Sequence, residues 1–268
     1  MATAVCLVLS FTSCEKGDDT TKHPTSNNPL YNYVLAGEKN TTNADVKLYF
    51  AEEAFVGYNT VAVELFEPGT QNVIENAIVS FLPMMDMGTM KHSTPFTNPA
   101  FDVDMDAYMG SSTFIMPGGT MGSWTIAVII DHNGNIDTAT FDIDVVEKTE
   151  AKLISFVSAA DSTTKLFVAL KEPSAPEIGL NNFEVMIYKR ETMMSFPAVT
   201  DLTIEIEPEM PTMGHGSPNN ENPVHVAEGL YRGKVNFTMS GFWKVNMSIS
   251  DNNGKTVRDD TYFDITFQ

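Results

Sequence analysis

The chain has 268 residues, 43% hydrophobic and 19% charged, a composition that excludes a disordered protein and suits one large or two ordinary domains. Its formal net charge of −19 argues against nucleic acid and anionic membrane surfaces as partners and is compatible with a cation. Its two cysteines, Cys6 and Cys14, both precede residue 15, so the body has no disulfide, no thiolate nucleophile and no cysteine metal ligand.

From the N-terminus, "MATAVCLVLSFTSC" is an apolar run that ends in small residues and a cysteine. It is too short to cross a bilayer as a helix. It resembles the signal peptide of a bacterial lipoprotein, which implies cleavage before Cys14 and lipidation of that thiol. No Lys or Arg precedes the run, and Phe11 stands where such signals usually carry Leu. The resemblance implies an envelope protein anchored by lipid to the outer membrane, on its periplasmic or surface face. "EKGDDTTKHPTSNNP" follows, polar and broken by proline, and reads as a flexible tether. The acidic residues after Cys14 resemble the export signal that sends some lipoproteins to the cell surface. Residues 1–40 are therefore expected to be signal peptide and tether, with residues 15 to about 40 lacking packed contacts.

Beyond the tether, apolar residues alternate at period two and no amphipathic helix is evident. "WTIAVIIDHNG" starts at Trp124, turns at Asn133-Gly134 and is answered by "TFDIDVV". The second half repeats this. In "WKVNMSIS", Trp243, Val245, Met247 and Ile249 share one face, while Lys244, Asn246, Ser248 and Ser250 share the other. A turn at Asn253-Gly254 suits a type I′ hairpin, and "TYFDITF" returns with Phe263, Ile265 and Phe267 on one face. Correspondences run in order: Tyr108 with Tyr231, Met116 with Met239, Trp124 with Trp243, Asp131 with Asp251, and the strand ending at Pro83 with that ending at Pro208. A repeat of roughly 120 residues follows, longer than solenoid periods. The predicted architecture is all-β, two tandem immunoglobulin-like antiparallel sandwiches over 41–149 and 150–268, divided near "VVEKTEAK". The first of these carries 3 basic and 15 acidic residues and the second 10 and 16; a solvated surface accounts for such acidity.

Each half also carries a methionine-rich connection. "MMDMGTMKHSTP" (84–95) contains Met87, Met90 and His92, followed by Pro95; "MPTMGHGSP" (210–218) contains Met210, Met213 and His215, followed by Pro218. The shared pattern is Met-x-x-Met-x-His, placed just after a strand and its proline. Thioether and neutral imidazole together select Cu(I) over zinc, calcium or magnesium. Further candidate ligands are Met84, Met85, Met116 and Met121 in the first half, and His225 and Met239 in the second. The alternative is packing, since methionine fills irregular gaps and a duplicated gene repeats its loops whether or not they bind. His132, in a hairpin turn, and His23, in the tether, read as solvated.

"PEMPTMGHGSPNNENP" followed by "GLYRGKVNFTMSGFWKVNMSIS" resembles the YtkA-like family, related to FixH-like domains. The likeness runs from about Lys165 to Gln268 and is looser in the first half, where "MPGGTMGSW" replaces "MSGFW". It implies an immunoglobulin-like sandwich outside the cytoplasmic membrane with an association with copper handling. Within it Met210, Met213 and His215 would be ligands and, by repeat, Met87, Met90 and His92.

Other chemistry is excluded more simply. "DVDMD" (102–106) alternates carboxylates but lacks the glycine that a calcium loop needs at its sixth position. On a strand, Asp102, Asp104 and Asp106 would line an exposed face. No nucleophile elbow, phosphate-binding glycine loop or Ser/His/Asp set appears, so a non-enzyme is expected. The leading expectation is an envelope lipoprotein whose two sandwiches bind copper for storage, delivery or tolerance, with an envelope protein as partner. The alternative is a metal-free cell-surface module that binds a protein or glycan. Oligomeric state is left open.

Overall fold

Period-two alternation is realised as strand throughout. The structure, a computed structural model, describes residues 28–268, and every regular element in that range is a β-strand. Cys14 and His23 lie outside the described residues.

The first sandwich contains β1 (Val34–Asn40), β2 (Asp45–Phe50), β3 (Gly57–Phe66), β4 (Ile78–Asp86), β5 (Lys91–His92), β6 (Phe96–Asp102), β7 (Ala107–Phe114), β8 (Ser123–His132) and β9 (Asn135–Ile143). The second contains β10 (Leu153–Val157), β11 (Lys165–Glu172), β12 (Gly179–Lys189), β13 (Leu202–Met210), β14 (His215–Gly216), β15 (Glu221–Ala227), β16 (Leu230–Phe237), β17 (Gly241–Asp251) and β18 (Thr256–Phe267). Each pairs a five-stranded with a four-stranded sheet, in orders β1-β2-β3-β7-β6 and β5-β4-β8-β9, then β10-β11-β12-β16-β15 and β14-β13-β17-β18. The orders are identical, strand for strand. Each core lies between its two sheets, built from the inward-facing residues of both.

The correspondences read from the sequence occupy equivalent places. Trp124 and Trp243, 1% and 0% exposed, start the third strand of each four-stranded sheet. The Tyr108 hydroxyl donates to the Ile74 carbonyl and accepts from the Ala77 amide, while Tyr231 does the same with Val199 and Leu202. Asn98 and Asn222 each accept a backbone amide from the neighbouring strand, those of Phe81 and Ile206. Such pairs satisfy backbone groups that would otherwise be buried without partners.

Three expectations are corrected. The tether was placed through residue 40, yet Val34–Asn40 pairs with β2 as an edge strand, its side chains mostly exposed on both faces. Asn133-Gly134 has both residues at positive φ, as a type I′ turn requires, but at Asn253-Gly254 only the glycine does. There the Asp251 carboxylate accepts the Asn253 and Lys255 amides and widens the turn. Finally, Asp102 ends β6 and caps a turn by accepting the amides of Asp104 and Met105, so the three aspartates do not line a strand face.

Residues 33–268 form one compact unit. Within it, Ala169, Met186 and Tyr188 on the five-stranded sheet of the second sandwich are buried, with Tyr58 of the first packed against them. Lys171 lies 5.6 Å over the Tyr58 ring.

Candidate metal centre

The methionine-rich connections are short hairpins at the end of each four-stranded sheet. In the first, β5 folds back on β4 so that Met85 stands opposite His92 and, on its other side, opposite Trp124. In the second, Met210 stands opposite His215. The imidazoles meet the indoles edge-on, His92–Trp124 at 5.3 Å and His215–Trp243 at 5.9 Å between centroids. Each indole N–H donates to a methionine carbonyl, Trp124 to Met116 at 3.0 Å and Trp243 to Met239 at 2.9 Å. The equivalent of Met210 is thus Met85, not Met87. Strand register aligns Pro83 with Pro208, and four residues separate Met210 from His215 where six separate Met85 from His92. The identical Met-x-x-Met-x-His spacing is a coincidence of two loops of different length.

His92 is 2% exposed, and both ring nitrogens have defined neighbours. Nδ1 lies 2.7 Å from the Ser93 carbonyl oxygen, which can only accept, so Nδ1 carries the proton. In the neutral ring Nε2 is then a lone pair, and it lies 3.2 Å from the Met116 sulfur. Two lone pairs facing at that distance need a shared electrophile, either a second proton or a metal ion. Bonds of about 2.0 Å to nitrogen and 2.3 Å to sulfur could both reach one ion from atoms so placed. A ring N–H held by a backbone carbonyl is the usual second partner of a metal-bound histidine, since it fixes the tautomer and the ring's direction. Ser93 is itself held, its hydroxyl donating to the Pro83 carbonyl at 2.8 Å.

Met87 and Met116 are half-buried, packed against the first core, and line a cleft of about 220 Å³ together with His92. The far wall belongs to the second sandwich and includes Lys165, Arg190 and Met193. Burial, and then the nearby Arg190 charge, pushes the Lys165 ammonium below its ordinary value.

The remaining sequence-derived candidates are dispersed. Met90 is half exposed at the loop tip, where its carbonyl closes the turn on the Met87 amide. Met210 is buried in the second core, Met213 is 59% exposed, and His215 is half-buried. Met239 packs against the second core, Met121 is exposed, and His225 is exposed with its ring edge on Tyr231. So Met87 and His92 share a cleft while Met90 faces solvent, and Met210 and Met213 go separate ways. Spacing alone did not single out Met116 as the neighbour of His92. The signal was the apolar position shortly before the Gly-x-Trp segment, repeated at Met239; the two methionines lie two residues past β7 and β16. Among the described residues no three His, Cys, Asp or Glu side chains converge.

The YtkA-like family profile matches residues 161–248, a span that runs from the β10–β11 turn into β17 and includes the Met210–His215 hairpin and Trp243. Among solved structures, the chain is similar to the Yersinia pseudotuberculosis adhesin InvE at 14% identity over 81% of this chain and 56% of that one, TM-score 0.24. It is also similar to a chimeric titin Z1Z2 tandem at 12% identity over 85% of this chain and 96% of that one, TM-score 0.20. A comparison with curated proteins gave no match. The sandwich architecture stands on the strand orders described above.

Proposed function

We propose that the protein is an envelope lipoprotein whose β-sandwich module holds Cu(I), for storage, delivery or tolerance, chiefly at His92 and Met116 of the first sandwich. One observation carries this reading: with Nδ1 bound to a carbonyl, the buried His92 presents Nε2 to the Met116 sulfur at 3.2 Å. Met87, in the same cleft, supplies a second thioether. Neutral soft donors suit Cu(I), and the ion would supply the electrophile that the facing lone pairs lack. The YtkA-like match supports a sandwich of this kind, and the lipoprotein-like start with Cys14 supports attachment to the envelope.

The test is titration of the full-length chain with Cu(I) against a competing chelator. Met116→Leu keeps the packing and removes the sulfur, so it should weaken binding roughly 10–100-fold, the range seen when partners around a metal ligand are lost. His92→Ala should do at least as much, and His215→Ala much less. Wild type binding no more copper than Met116→Leu and His92→Ala would leave a metal-free interaction module as the better reading.

A further inference from the structure

The first and second sandwiches differ in the connection between the five-stranded sheet and the strand that precedes the hairpin. In the first, residues 67–73 follow β3, and the Ile74 amide returns to the Leu65 carbonyl. In the second, the equivalent return is the Val199 amide to the Ile187 carbonyl, and the corresponding stretch is 189–198. The extra length carries Met193 and Met194, whereas "EPGTQNV" has no methionine.

That longer connection reaches the other sandwich. The Ser93 amide donates to the Met193 carbonyl at 2.9 Å, while the Ser93 carbonyl holds His92 Nδ1. A single residue of the first sandwich therefore orients the imidazole and anchors the backbone of Met193. The turn that presents Met193 is closed by its own bonds: the Glu191 and Thr192 amides both donate to the Ser195 carbonyl, and the Ser195 hydroxyl donates to the Glu191 carboxylate. Met193 lines the same cleft as Met87, His92 and Met116. At 38% exposure its side chain is not locked by packing, and a thioether on a flexible stem can turn inward once an ion is present.

We propose, on the basis of the copper reading above, that Met193 is a ligand supplied by the second sandwich, so that one Cu(I) ion ties the two sandwiches together. The site is then a property of the tandem and not of either sandwich alone. An ion that binds the closed junction better than an open one must stabilise the junction in return. Loading with copper fastens the two sandwiches, and loosening them releases it.

The experiment compares Met193→Leu, Met194→Leu and Met116→Leu in the full-length chain, by chelator competition and by X-ray absorption of bound Cu(I). Expected is a loss of roughly 10–100-fold in affinity for Met193→Leu, with one fewer sulfur neighbour per copper, and no change for Met194→Leu. If Met116→Leu loses copper while Met193→Leu keeps both affinity and sulfur count, the cross-junction ligand is refuted and the His92–Met116 site stands. An effect at Met194→Leu in place of Met193→Leu also refutes it. If neither Met116→Leu nor Met193→Leu changes anything, the copper reading fails together with this inference.

Discussion

The two sandwiches match strand for strand and each buries one tryptophan at the same place, yet the same hairpin holds a histidine differently in each. In the first, six residues separate Met85 from His92, and the longer loop tucks the imidazole to 2% exposure with Nε2 on the Met116 sulfur. In the second, four residues separate Met210 from His215, and the ring is half-buried beside Trp243. The first sandwich also has a neighbour over its hairpin, the 191–195 turn bonded through Met193 to Ser93. A repeated fold thus fixes the frame, while loop length and the neighbouring sandwich decide how each copy places its histidine.

The frame can be probed at the glycine before each tryptophan. Gly122 and Gly241 hold φ of +141° and +128°, so a side chain at either is strained by about 1–3 kcal/mol. A Cβ at Gly122 would also come within 2.5 Å of the Asp86 carbonyl, whereas at Gly241 it would meet only the flexible end of Met210, at 3.3 Å. Gly122→Ala should therefore destabilise its sandwich by about 1–3 kcal/mol more than Gly241→Ala does. Denaturant unfolding followed by Trp124 or Trp243 alone, with the other tryptophan changed to Phe, reads each sandwich separately. Equal losses would mean that the two hairpins are packed alike.

A second contrast lies in the buried glutamates of the central strands. Glu64 on β3 accepts from the Tyr49 phenol at 2.7 Å. Glu184 on β12 is bound by Arg232, and by Lys171 at 3.0 Å. Burial raises the Glu184 carboxyl, but Arg232 and Lys171 outweigh it and hold the group below the ordinary glutamate value. With the folded value depressed, its stabilisation is complete above the unfolded value and is lost as pH falls through the folded one. Glu184→Gln should cost the second sandwich about 1–3 kcal/mol at neutral pH, the scale of hydrogen bonds to a charged group. The cost should fade in acid below the ordinary glutamate range. Stability measured against pH for Glu184→Gln and wild type checks this, and a pH-independent difference would count against the ion pairs.

The smallest effect concerns the charges facing the cleft. Lys165 and Arg190 lie on its second-sandwich wall and would repel a cation held by His92. Lys165→Gln should raise Cu(I) affinity a few-fold, as expected of a partly exposed charge pair worth about 0–1 kcal/mol. A fall in affinity would place the copper elsewhere.

Much of the frame was legible in the sequence because it is local. Alternation from Trp124 and Trp243 onward describes side chains two residues apart on one strand, and the Tyr and Met that precede each tryptophan keep the same order from β7 into β8 and from β16 into β17. The strand Val34–Asn40 was missed because an edge strand exposed on both faces leaves no alternation to read. The hairpin register was misread for a different reason: spacing along a loop is blind to loop length, and strand pairing makes Met85 the counterpart of Met210. Met193 was beyond reach, since its link to Ser93 spans the two sandwiches and has no periodicity.

The facing of His92 Nε2 and the Met116 sulfur is tested most directly by nitrogen-15 NMR of the imidazoles during addition of Cu(I). With one equivalent of Cu(I), the His92 Nε2 resonance should shift in step with the Met116 methyl, ahead of any change at His215. His92 resonances unmoved by the metal would contradict the site and give the Met116 contact to an ordinary N–H···S hydrogen bond.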